Sequence, residues 1–78
     1  MALKCGKWRK HGATWEKKCR CSSDWRFSPY AHAHRLLSGG WDAYVAGTRH
    51  GIRSHFDSLV DARKWLNRKL RAVGKECD

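Results

Sequence analysis

Seventy-eight residues carry 17 Lys and Arg against 7 Asp and Glu, a formal charge of +10, and a chain of this size buries only roughly 60% of the surface its unfolded form exposes. A second domain, a deep catalytic cleft and a membrane span are not expected within these residues, because no apolar run approaches spanning length and the core must be small. Self-repulsion at this charge destabilises a compact fold, so the chain is expected to bind a polyanion, nucleic acid first among them.

Residues 1–12 are basic and punctuated by Gly6 and Gly12, and they read as a flexible arm or a first short strand around Trp8. Lys4, Lys7, Arg9 and Lys10 precede no apolar segment of signal-peptide length, which points to a cytoplasmic protein with free thiols at Cys5, Cys19, Cys21 and Cys77. From Ala13 to Cys21 the residues alternate as in a strand, with Trp15, Lys17, Cys19 and Cys21 on one side and Glu16, Lys18 and Arg20 on the other. Ser22 to Asp24 predict a turn. Trp25 and Phe27 alternate as the next strand, carrying Arg26, and Pro29 interrupts central pairing soon after. The segment YAHAHRLLS, residues 30–38, fits an extended stretch and a helical turn equally, and Gly39 and Gly40 break it.

Trp41, Ala43 and Val45 alternate with Asp42, Tyr44 and Ala46 as a half-buried strand. A turn between Gly47 and Gly51 returns the chain through Ile52 to Phe56, giving a hairpin whose loop region carries Arg49, His50 and Arg53. Ser58 followed by Asp61 is a capping-box variant that opens a helix. Leu59, Ala62, Leu66, Leu70 and Val73 then form one apolar stripe, widened by Trp65 and closed by Gly74, which leaves residues 74–78 as a tail. The fold class is therefore α+β: one domain over residues 1–78, an antiparallel sheet of about three strands, and one C-terminal helix packed on one face.

Catalysis is not expected. Asp57 and Asp61 read as helix-start partners, and a Cys/His pair built on Cys19 or Cys21 has no third group to orient the base. Zinc held by Cys5, Cys19, Cys21 and one of His11, His32 or His34 is weighed and set aside, because a single residue, Arg20, separates the paired cysteines. No metal and no cofactor are expected. The basic residues do form a pattern, since a helix on one sheet face leaves the other open. Lys18, Arg20, Arg26, Tyr44, Arg49 and Arg53 are the residues expected to bind nucleic acid there, as a β-ribbon entering the major groove.

The string HFDSLVDARKWLNRKL, with Phe56, Ser58, Leu59, Asp61, Ala62, Trp65 and Leu66 at its key positions, resembles the strand-to-helix junction of AP2-type domains and of the arm-site-binding domains of tyrosine integrases. The chain also looks like short bacteriophage reading frames that pair a GWDAYV-like strand with an HFDSLxDA-like helix start. The resemblance covers about the last 35 residues and implies a three-stranded sheet that enters DNA with a helix behind it. It places Arg20, Arg26, Arg49 and Arg53 in the DNA-contacting region. The glycine and arginine signatures of AP2 strands and any recombinase domain are missing, so recombination is not implied. The expected function is that of a phage-type accessory protein binding nucleic acid, DNA in preference to RNA. The alternative is an inhibitor or adaptor docking on an acidic surface of a host protein, for which exposed Trp and Arg are suited.

Overall fold

A computed structural model of the chain describes residues 3–22, 26–46 and 51–77. Within them the elements run β1 (Leu3–Cys5), β2 (Arg9–His11), β3 (Thr14–Cys21), β4 (Tyr30–Arg35), β5 (Trp41–Ala46), β6 (Ile52–Phe56) and α1 (Leu59–Gly74). The strands form a six-stranded antiparallel sheet, ordered β1, β3, β4, β5, β6, with β2 also pairing β3. About three strands were expected, and the additional ones come from the two segments whose sequence signals were weakest.

The first is the basic arm. β1 and β2 lie end to end on one edge of β3, and the register changes by one residue between Cys5↔Cys19 and Arg9↔Glu16. Gly6 to Trp8 therefore act as a bulge in a single interrupted strand, with the Gly6 amide donating to the Lys18 carbonyl at 2.9 Å. Lysine and arginine are at home on such an exposed edge, where they also discourage pairing with other chains. The hairpin to β3 turns through Gly12 and Ala13, with Gly12 at φ +60°, the sign that a II′ turn needs at its first central position.

The second is β4. Of YAHAHR, Ala31 and Ala33 are fully buried beneath the helix while His32 and His34 face the other way. Alanine favours helices as well as tolerating strands, so the segment's local preference did not decide between them. Trp25 lies outside the described residues. Phe27 precedes β4 outside the assigned strands, although the Phe27 and Pro29 carbonyls still accept from the Cys21 and Cys19 amides at 3.0 and 2.9 Å. Proline costs nothing there, because only its acceptor is used.

β5, β6 and α1 form where the sequence predicts them. Ser58 caps the helix, its hydroxyl accepting from the Asp61 amide at 3.2 Å. Ala62, Leu66, Leu70 and Val73 are buried against Cys19, Ala31, Ala33, Ala43 and Val45. Alanines at the centre of the sheet let the helix approach closely. Trp8, Trp15, Trp41, Phe56 and Trp65 stand half-buried around that small-residue centre, with the Phe56 and Trp65 rings 5.5 Å apart. The turn predicted between Gly47 and Gly51 lies outside the described residues except for Gly51 itself.

The cysteines overturn the expectation of free thiols. Cys5 bonds Cys19 across β1 and β3, and Cys21 bonds Cys77, tying the end of β3 to the chain beyond the helix. The predicted tail is thus anchored, with Cys77 fully buried. Gly74, the last helical residue, passes β1 so closely that a Cβ there would lie 3.4 Å from the Leu3 Cβ.

Gly39 and Gly40 close the β4–β5 hairpin at φ +97° and +84°. A Cβ on Gly40 would meet the His55 ring at 2.7 Å and the Phe56 carbonyl at 3.0 Å, whereas one on Gly12 would meet nothing within 4 Å. Gly12→Ala is expected to cost about 1 to 2 kcal/mol from backbone conformation alone, and Gly40→Ala measurably more. Urea unfolding of the two variants checks this; equal losses would show that the His55 contact does not matter.

Candidate nucleic-acid interface

Because the helix covers one face of the sheet, the alternate residue of each strand points away from it. Strand register then aligns these outward residues in rows. One row runs Arg9, Glu16, His32, Tyr44, Arg53 across β2, β3, β4, β5 and β6, and the next runs His11, Thr14, His34, Asp42, His55. Beside them stand Lys18 opposite Tyr30, and Lys4 opposite Arg20. The open face therefore joins five Lys and Arg with two tyrosines and four histidines.

Its two carboxylates are engaged by histidines. His11 Nε2 lies 3.1 Å from Glu16 Oε1, and His55 Nδ1 lies 3.6 Å from Asp42 Oδ1. Tyr44 is similarly engaged: the Arg53 guanidinium lies 5.6 Å from its ring centre, close enough for a cation–π contact. Thr14 Oγ1 and His34 Nδ1 are 2.9 Å apart, and the His32 and His34 rings are 6.0 Å apart. Burial holds the His32 imidazole below its ordinary pKa, assisted by the positive charges of His34 and Arg53 and opposed by Glu16. At neutral pH His32 is accordingly uncharged.

Of the residues expected to bind, Lys18 and Arg20 are exposed on the open side of β3, where they line a shallow groove with Lys4, Glu16, Ser28 and Tyr30. Tyr44 and Arg53 are cross-strand partners on the same face. Arg26 is exposed, but it stands in the turn before β4 and not on a strand. Arg49 lies outside the described residues. Sequence reading passed over Lys4, Arg9, Tyr30 and the four histidines, although in β4 the AHAH alternation already placed two histidines on one side of any strand.

On the opposite side Lys64, Arg68 and Arg71 are exposed along α1. Arg63 is different, its guanidinium 5.3 Å from the Trp8 ring and 5.7 Å from that of Trp15. The zinc set weighed from the sequence loses its thiolates to the disulfides, and among the described residues no group of three or more His, Cys, Asp or Glu is placed to hold a metal ion. Among them, too, no helix is long and apolar enough to cross a membrane.

Compared with family models, curated proteins and solved structures, the chain matches none of them. The functional reading accordingly rests on the geometry of the open face.

Proposed function

We propose that the protein binds nucleic acid, duplex DNA foremost, through the open face of its sheet. The supporting observation is that Lys4, Arg9, Lys18, Arg20 and Arg53 share one uncovered surface with Tyr30 and Tyr44, while both acidic groups on it are already paired with histidines. Lysines and arginines neutralise phosphates, and the exposed arginines with the half-buried tyrosines can reach base edges from strands laid in a groove. This is an accessory binding role of the kind the phage-type resemblance suggests. Disulfides persist in oxidising surroundings, so such surroundings suit the domain better than the reducing cytoplasm expected from its sequence.

Binding should depend steeply on salt. If about four to six cations meet phosphates, the logarithm of the duplex-binding constant falls against log salt with a slope of roughly −4 to −5. Fluorescence anisotropy between about 50 and 200 mM salt measures it. Arg20→Ala or Arg53→Ala should each reduce the slope by about one if the residue touches phosphate. Lys64→Ala and Arg68→Ala, on the helix, should change affinity little. Loss of binding in the helix variants alone would move the site to the helix, and no binding to any nucleic acid at about 50 mM salt would favour an acidic protein partner instead.

A further inference from the structure

Binding uses the cations of the open face but leaves its central histidines without a task. His32 and His34 are neighbours on the outward side of β4, and they differ in state. His32 is half-buried among Glu16 of β3, Tyr44 of β5 and, beyond Tyr44, Arg53 of β6. His34 is exposed and held through Nδ1 by Thr14 Oγ1. When protonated, His34 donates Nδ1–H to that hydroxyl, which leaves its Nε2–H directed away from the tether. Two merely solvated surface histidines would show neither the burial of the first nor the tether of the second.

We propose that these two imidazoles, with Arg53, cleave RNA laid on the same face, an activity that rests on the nucleic-acid reading and goes beyond it. An imidazole nitrogen lies about 2.8 Å from the oxygen it bonds, so rings with centres 6.0 Å apart can flank a single phosphoryl group. His32, neutral, takes the proton of a ribose 2′-hydroxyl as that oxygen attacks the adjacent phosphorus. The bond from phosphorus to the 5′ oxygen breaks, its electron pair leaves with that oxygen, and His34 supplies the proton the oxygen needs. The products are a 2′,3′-cyclic phosphate and a free 5′-hydroxyl, and the step balances without a co-reactant. Arg53 stabilises the charge that builds on the phosphoryl oxygens, and its contact with the Tyr44 ring orients it. DNA lacks the 2′-hydroxyl, so it is bound and left intact.

Rate against pH should show an acid limb, which reports protonation of His32, held by burial below the ordinary imidazole range. After burial, His34 lowers the His32 value, Glu16 raises it and Arg53 lowers it, so substitution of any of the three would displace the acid limb.

The test incubates the oxidised protein with a short end-labelled single-stranded RNA and, separately, with its 2′-O-methyl counterpart, which can bind but not react. The expected result is binding of both strands, with cleavage of the first alone to 2′,3′-cyclic phosphate ends. His32→Gln and His34→Gln, purified identically, should cut about 10²- to 10⁴-fold more slowly, a loss well beyond any weakening of their binding to the 2′-O-methyl strand. His32→Gln should also erase the acid limb. Their melting temperatures are measured alongside, and His32→Asn replaces His32→Gln if the latter is unfolded. Binding of the 2′-O-methyl strand without cleavage of RNA overturns the activity and leaves the interface standing. Undiminished cleavage by folded histidine variants also overturns it. Failure to bind either strand or duplex DNA overturns the interface and the activity together.

Discussion

Loss of the Cys21–Cys77 bond is expected to lower the melting temperature by roughly 15 to 30 °C, read by circular dichroism of a Cys21→Ser, Cys77→Ser protein. The bond joins residues 56 apart in sequence, and closing a loop of that length restricts the unfolded chain by about 4 kcal/mol. The Cys5–Cys19 bond spans 14 and should contribute about 3 kcal/mol by the same reasoning. A domain of this length has a stability of about 4 to 12 kcal/mol, so reducing both bonds removes an amount comparable to the whole. The reduced, alkylated protein should therefore be largely unfolded at room temperature, whereas a strong chelator should leave the oxidised protein unchanged. The reverse pattern, unfolding by chelator and indifference to reductant, would restore the metal arrangement weighed from the sequence.

The size of that effect follows from how little core the chain builds. The buried centre is made of three sheet alanines, one valine and a cysteine against four helix residues, a small apolar area to set against the self-repulsion of a +10 chain. Covalent closure compensates, as it does in other small domains whose cores are insufficient. The ends of β3 and α1 are fixed together by a bond instead of by further burial.

What could be read in advance divides along the same physical line. β5, β6 and α1 were legible because their signals are local: strict alternation from Trp41 to Ala46, a cap at Ser58, and an apolar stripe at helical spacing. β1, β2 and β4 were not, because the forces that make them strands come from elsewhere in the chain. The edge strand exists through its pairing to β3 and the Cys5–Cys19 bond, and Ala31 and Ala33 become core residues only when α1 covers them. The disulfides were missed for a related reason. Cys21 and Cys77 meet only after the whole domain has closed, and the basic N-terminal residues by themselves point to a reducing compartment. In the candidate interface, Lys18 and Arg20 were visible as alternate residues of one strand. The row His11, Thr14, His34, Asp42, His55 was not, since it draws on five strands and a register shift of one residue would have sent each of those side chains to the other face.

Leu66→Ala should destabilise the protein by about 2 to 5 kcal/mol, which corresponds to a melting temperature lowered by roughly 10 to 40 °C in a domain of this size. Among the described residues Leu66 is the largest fully buried side chain; it belongs to the helix, which packs on β4, β5 and β6. Three sheet alanines of the same cluster carry only a methyl group and offer little with which to fill the space, so the loss should fall toward the upper part of that range. Leu37 supplies the control, since it is fully exposed in the β4–β5 hairpin and Leu37→Ala should change stability by less than about 0.5 kcal/mol. The disulfides should make the Leu66 variant informative instead of merely unfolded: with the loop closed the unfolded state stays restricted, and a cooperative transition remains measurable in urea. An oxidised Leu66→Ala protein that melts like the parent would show that the helix stripe is not the core. A variant that loses its fold even when oxidised would place the whole margin of stability in this one contact.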